Sequence, residues 1–289
     1  MTRCRSRRIW IPLFLALFVT GLRAQEQSDY FSPNALWSFA LALYDEGDYP
    51  RAAGEFLRYL FLAGDGLRDA EAWFRVAKCR QRSGQMEEAL AGFRSLVSRE
   101  ADEAWAVRAR YEIAITSALL GRNGESLTLL DDPALPALTP VYDPSLLQGW
   151  CLLLKHDWSG AGDALADSGS ALAPQLASIA AEGRSLPRRS PALAGVLSAL
   201  LPGAGKLYAG RMADALFSFG FIGSFAVLSG LGFAEEGVRS IRGWAYGSIA
   251  LLFHAGNVYG AVVAARQFNR DSETAIEARA RDFYETNLR

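Results

Sequence analysis

Glycine recurs at a fixed interval through the first half of the chain, at Gly47, Gly84 and Gly121, each 37 residues from the last. The residues that follow it recur too. Gly47, Tyr49, Ala52 and Phe56 align with Gly84, Met86, Ala89 and Phe93. A third copy has Asn123, Ser126 and Leu130 after Gly121, and a degenerate fourth begins 35 residues later at His156, with Trp158, Ala161 and Leu165. Self-similarity at such a period marks an array of one repeated supersecondary unit.

Each copy is preceded by a second apolar-periodic stretch, at residues 36–44, 73–79, 111–120 and 146–154. The spacing is helical rather than alternating. The unit therefore reads as two antiparallel helices, A and B, joined by a tight turn at the glycine, a residue suited to ending helix A. The alanine early in helix B permits close contact, and the phenylalanine fills the gap to the next unit. One hairpin cannot bury its own apolar face, so the units must stack.

These residues resemble the tetratricopeptide repeat family. Trp73, Val76 and Ala77 sit where that family's helix A carries a large-large-small set, and Leu36, Phe39 and Ala40 match in the first unit. The resemblance covers residues 33–168 and fades toward the fourth unit. The period exceeds the roughly 34 residues usual for the family, which predicts longer links such as Ala63-Gly64-Asp65-Gly66. An unrelated array of helical hairpins fits the same residues. Either way the expected use is a groove that binds a protein or peptide. Arg75, Lys78, Arg82, Arg108 and Arg110 on the helix A segments either line that groove or form a solvated face.

The chain changes character after residues 184–191, a linker by composition. Residues 215–234 and 243–265 contain no Asp, Glu, Lys or Arg. At ~1.5 Å per residue these runs reach about 30 and 35 Å, enough to cross a bilayer core. The pairs Gly243/Gly247 and Gly256/Gly260 suit close helix packing in lipid. An earlier apolar run at residues 190–205 is short for a span and contains Pro202, so it reads as re-entrant, interfacial or a strained third crossing.

That run leads into Pro202-Gly203-Ala204-Gly205-Lys206-Leu207-Tyr208-Ala209-Gly210, read as a tight turn between hydrophobic elements with Tyr208 at the interface. Gly205-Lys206 lacks the flanking residues of a nucleotide loop. The segment resembles a small two-helix membrane family with Tyr-x-Gly between its hydrophobic stretches. It is also similar to bacterial envelope proteins with a Pro-Gly-x-Gly-x-x-Tyr-x-Gly signature. Gly256-Asn257-Val258-Tyr259-Gly260 and Arg266-x-Phe268-Asn269 resemble a second signature of that group. This resemblance covers residues 190–270 and implies placement in a membrane rather than an activity.

His254 and Asn257 are polar groups inside the second long run, where a functional role competes with hydrogen bonding to a neighbouring helix. Crossing number stays open at this level. With two crossings, Arg239 and Arg242 face the cytoplasm while Arg188, Arg189, Lys206, Arg211, Arg266 and Arg270 face outward, against the positive-inside tendency. A third crossing by residues 190–205 agrees better with the charges.

The N-terminus reads as a targeting segment over residues 1–24: four arginines between positions 3 and 8, an apolar stretch at residues 9–19, and Ala24 as the cleavage residue. An uncleaved anchor is the alternative, and both send the next domain across a membrane. Residues 25–183 carry 13 Lys and Arg against 23 Asp and Glu, which argues against nucleic acid as a partner. Residues 184–289 carry 12 against 8. Cys79 and Cys151 fall in apolar-periodic segments, where a buried thiol is the default and a bridge is conceivable. No paired carboxylates, nucleophile-base set or metal-ligand spacing appears, so neither catalysis nor a cofactor is expected.

The expected architecture is all-α: a tetratricopeptide-like solenoid over residues 25–183, then a small transmembrane bundle at 192–270 and an amphipathic helix at 271–289. The expected function is that of a membrane-anchored envelope adaptor. Its exported repeats bind another envelope protein or peptide, its module contacts membrane lipid, and its glycine-rich helices offer a route to self-association. The alternative is a membrane-active component, a pore, transporter subunit or insertion factor regulated by the repeats.

Overall fold

The computed structural model describes residues 31–64, 66, 68–99 and 103–288. The expected targeting segment lies outside them. Among the described residues the chain is all-helical, with 13 α-helices and no strand. They fall into two compact units that divide after Cys151.

The first unit is a run of antiparallel hairpins: α1 (Pro33–Asp45) with α2 (Tyr49–Ala63), α3 (Asp69–Arg82) with α4 (Met86–Ser98), and α5 (Glu103–Leu119) with α6 (Asn123–Leu130). Each helix packs on the next, and α3 also touches α5. The glycine that ends each helix A has a left-handed backbone, with φ of 83°, 81° and 77° at Gly47, Gly84 and Gly121. That conformation closes one hydrogen-bond pattern three times. Gly84 N–H donates to Gln81 C=O at 3.1 Å and Gln85 N–H to Arg80 C=O at 2.9 Å, and the other two turns match. Orphan carbonyls at the helix end are satisfied in this way.

The positions after the glycine are core positions. Ala52, Phe56, Ala89 and Phe93 are fully buried, as are Ser126 and Leu130 in the third hairpin. Helix A departs from the expected pattern in the first hairpin: Leu36 and Ala40 are buried but Phe39 is 47% exposed, and Trp37 takes the interior place. Trp37 meets Phe56 and Tyr59 edge-on at 5.3 and 5.0 Å. Cys79 and Cys151 are both free and buried, so the conceivable bridge is not formed.

The division between units falls within α7 (Pro144–Leu154). In the second unit its last residues turn into α8 (Trp158–Ala166) through His156, which has φ of 61° in the place of the glycine. The turn bonds persist, with His156 N–H on Leu153 C=O and Asp157 N–H on Leu152 C=O. Then follow α9 (Ala173–Ser185), α10 (Pro191–Leu200), α11 (Ala204–Tyr208), α12 (Met212–Glu236) and α13 (Ile241–Phe283).

Helices α12 and α13 are both long and apolar enough to cross a membrane. With 43 residues, α13 is about 65 Å long and outruns a bilayer core. Residues 271–283 continue this helix rather than forming a separate one. Ile276, Ala280, Phe283 and Tyr284 are buried, and this part of α13 packs against α9. Glu182 of α9 bonds Arg279, and His156 lies between Glu273 and Glu277.

Among the described residues, the segment that would make the third crossing favoured by the charge pattern forms no helix of spanning length. Helix α10 has 10 residues, about 15 Å, half a bilayer core. Its start and the end of α11 lie side by side, with Ser190 N–H donating to the Tyr208 hydroxyl at 3.1 Å. The segment doubles back on itself.

Candidate functional site: the helix A face and the glycine-rich module

In the first unit the helix A face of α3 and α5 carries a buried polar cluster. The Lys78 ammonium bonds Glu112 Oε1 at 2.7 Å, and Gln81 Nε2 donates to Glu112 Oε2 and Thr116 Oγ1 at 2.9 and 2.8 Å. Burial alone pushes the Glu112 carboxyl up. The Lys78 charge and hydrogen bonds from Lys78, Tyr142 and Gln81 outweigh it and hold the group below its ordinary value. A buried ion pair survives when each charge is this fully satisfied.

The third partner of the Glu112 carboxylate comes from the link between α6 and α7. Residues 131–143 hold Pro133, Pro136 and Pro140 and cross this face without helix. Tyr142 OH donates to Glu112 Oε1 at 2.6 Å, and Tyr111 OH donates to Pro136 C=O at 2.7 Å. The two rings stack at 5.2 Å. Burial, then the Glu112 charge, raises the Tyr142 phenol well above its ordinary value, so it stays a donor. From Tyr111 to Ala118 α5 is buried all round, which a helix in an open hairpin array would not be.

Of the expected groove cations, then, Lys78 is buried in an ion pair. Arg75 bridges Glu71 at 2.8 Å and lies over the Trp37 and Tyr44 rings. Arg108 lies over Trp105 at 4.4 Å. Trp73 is half-buried beneath Arg99, 4.8 Å from its ring centroid.

The second unit brings the glycine signatures together. Tyr208 sits under the Arg189 guanidinium at 5.1 Å, which also covers Phe268 at 5.2 Å. Asn269 accepts from Arg189 N–H at 2.8 Å and donates to Arg189 C=O at 2.9 Å. The Tyr208 and Phe268-Asn269 signatures thus clamp one end of the bundle. An added β-carbon would meet Ala215 C=O at 2.3 Å from Gly203 and Ala194 C=O at 1.8 Å from Gly205. Only glycine admits these backbones so close.

Pro202 lies in the break between α10 and α11, and Gly210 (φ 82°) makes the turn into α12. That turn repeats the hairpin pattern of the first unit, with Gly210 N–H on Leu207 C=O and Arg211 N–H on Lys206 C=O. Met212, Ala215 and Phe219 follow at the repeat's own intervals, a recurrence the sequence reading missed. Gly243 and Gly247 pack against Phe233 and Ser229 of α12 as expected. Gly256 does not pack: the space beside it is open, and Tyr259 is 72% exposed.

Polar residues in α13 serve the end of α10. Its last carbonyls are orphaned by the Pro202 break and are met from the side, Ala199 C=O by His254 Nε2 at 3.1 Å and Ser198 C=O by Asn257 Nδ2 at 3.5 Å. Carbonyls left open at a helix end need such partners. Beside them a cavity of about 320 Å³ opens between α12 and α13, with Lys206, Ser218, Gly256 and Asn257 on its polar side and Phe217 and Phe253 on its apolar side. Lys206 donates to Ser218 Oγ at 2.8 Å. No group of metal-ligating side chains occurs among the described residues.

No family model matches this chain, and no curated protein is similar to it.

Proposed function

We propose that this chain is a non-enzymatic, membrane-held adaptor of the bacterial cell envelope, whose tetratricopeptide-like repeats bind another envelope protein or peptide on their helix A face. The observation that carries the reading is the seating of residues 131–143. A helix-free, proline-bearing segment with turns and bends already lies on that face, held by Glu112 on one tyrosine hydroxyl and by Tyr111 on one backbone carbonyl. Such contacts suit peptide recognition, since they read backbone and one anchor side chain at once.

In this reading the repeats and the C-terminus lie on the exported side. The arginines and apolar stretch at the N-terminus support the first part. The return of α13 onto α9 supports the second. The cations at the Tyr208 end of the module pull the other way, so reporter fusions at Val238 and after residue 288 are decisive; an exported Val238 loop overturns this placement.

The groove itself is tested with the full chain in detergent and a labelled peptide of residues 131–143. Tyr142→Ala weakens the internal segment, and the peptide supplies the missing tyrosine in trans. Binding to Tyr142→Ala, lost again in Tyr142→Ala/Glu112→Gln, is expected. No binding to Tyr142→Ala overturns the reading. The membrane-active alternative gains one observation, the cavity beside Lys206.

A further inference from the structure

We infer that the cavity between α12 and α13 is a binding site for an anionic phospholipid whose headgroup carries a free hydroxyl. The inference goes beyond the adaptor reading and rests only on α12 and α13 lying in a bilayer.

The cavity joins two kinds of surface. One side is aromatic and aliphatic, from Phe217 and Phe221 of α12 and Leu252 and Phe253 of α13. Phe217, Leu252 and Phe253 are at least half exposed, so this side opens laterally where the acyl chains of a bilayer would be. The other side is polar and cationic. Lys206 reaches in from α11, and its ε-carbon lies against Gly260, where an added β-carbon would touch it at 3.4 Å. Asn257 is three residues from Gly260 and so on the same face of α13.

Lys206 bonds Ser218, a neutral hydroxyl that leaves its charge without a counter-ion among the described residues. Ser218 is seven residues into the helix from Arg211, about 10 Å from that end of α12. A lysine at this depth is costly unless it meets an anion or reaches the interface. Asn257 is 96% buried, given its 4% exposure, and its Oδ1 has no hydrogen-bond partner among the described residues. Its Nδ2 faces Ser198 C=O, which leaves the oxygen for a ligand that donates.

The two groups define the occupant. Lys206 asks for an anion, Asn257 Oδ1 for a hydroxyl or N–H donor, and the aromatic wall for a hydrocarbon chain. A phosphodiester headgroup with a glycerol hydroxyl, on a diacyl tail, meets all three. Gly256 is glycine because a side chain there would project into this space, not because helices touch: nothing lies within 4 Å of its would-be β-carbon.

The test is native mass spectrometry of the full chain in detergent, titrated with phosphatidylglycerol, phosphatidylcholine, phosphatidic acid or inorganic phosphate. Retention of phosphatidylglycerol about fivefold above phosphatidylcholine is expected. Lys206→Gln removes that preference, and Asn257→Leu brings phosphatidylglycerol down to phosphatidic acid. Gly256→Leu fills the cavity and expels the lipid, which gives the same reading if Lys206→Gln does not fold. Equal retention of the two diacyl lipids, or an unchanged preference in Lys206→Gln and Gly256→Leu, overturns the inference. So does binding of inorganic phosphate with no lipid preference. Resistance of the chain to alkaline extraction from membranes reports separately on whether α12 and α13 are embedded at all.

Discussion

His156 Nε2 lies 3.1 Å from Glu277 Oε2, a contact across 121 residues that joins the turn before α8 to the last third of α13. The same imidazole stacks on Trp158 at 5.2 Å. His156 holds a backbone conformation that glycine adopts more readily, so what it adds there is its side chain rather than the turn. His156→Gly is expected to preserve the turn and release the C-terminal helix, with amide exchange across residues 273–281 rising about tenfold, a change worth roughly 1.4 kcal/mol. Unchanged exchange would show that the buried face of Ile276 and Phe283 alone holds α13 down.

Glu112 makes the first unit acid-sensitive. Its folded-state value lies below the ordinary 4.5, so its contribution is fully present above that pH and is lost as pH falls through the folded value. Thermal melting of the wild type should weaken steadily below about pH 4.5. Glu112→Gln leaves the Lys78 ammonium buried without its counter-charge and should cost roughly 3 kcal/mol at neutral pH. Its acid limb should also be flatter; identical limbs would assign the acid sensitivity to other carboxylates.

Gly205 and Gly220 are both glycines of the second unit, yet they should respond oppositely to alanine. At Gly205 the added carbon would fall 1.8 Å from Ala194 C=O, whereas at Gly220 nothing lies within 4 Å. Gly205→Ala is expected to destabilise the module by about 1–3 kcal/mol or more through forced backbone movement. Gly220→Ala should stay within about 0.5 kcal/mol of wild type. Melting in detergent, followed at the module's tryptophan Trp244, separates the two.

Cys79 and Cys151 should be unreactive in the native chain. Burial pushes both thiols up to about 12, and Ser126 lies 3.0 Å from the Cys151 sulfur. Maleimide at neutral pH, read peptide by peptide, should label neither until denaturant is added. Native labelling of Cys79 would mean that the α1–α3 packing opens.

The repeat was legible because its physics is local. A left-handed residue must end helix A, a small residue must follow in helix B, and a large apolar residue must fill the next gap, so the same intervals recur in the letters. The segment on the helix A face was not legible, and the period concealed it. Helix α6 has 8 residues against 15 and 13 for α2 and α4. The 13 residues that follow α6, residues 131–143, therefore fit almost within the same interval. Nothing in a count of spacings separates a short helix plus a strap from one long helix.

The module shows the same limit. Two uncharged runs long enough to span were visible in composition, and both became long helices. The charges favoured a third crossing because they are counted along the chain, while Pro202 and the Gly205 contact with α10 decide the path in space. The Gly256/Gly260 pair read as packing, yet one glycine lines a cavity and the other abuts Lys206.

By itself, then, the sequence determined the hairpin turns, the buried positions of helix B and the two apolar helices, since each depends on residues within a few turns of one another. Only the tertiary structure decided what lies on the helix A face, how α10 returns, and that Lys206 and Asn257 share one cavity. Those depend on contacts between residues well apart in the chain, from 18 for Ser190 with Tyr208 to 30 for Glu112 with Tyr142 and 59 for Ser198 with Asn257. Chain spacing carries no record of such contacts, because packing rather than local conformation selects them.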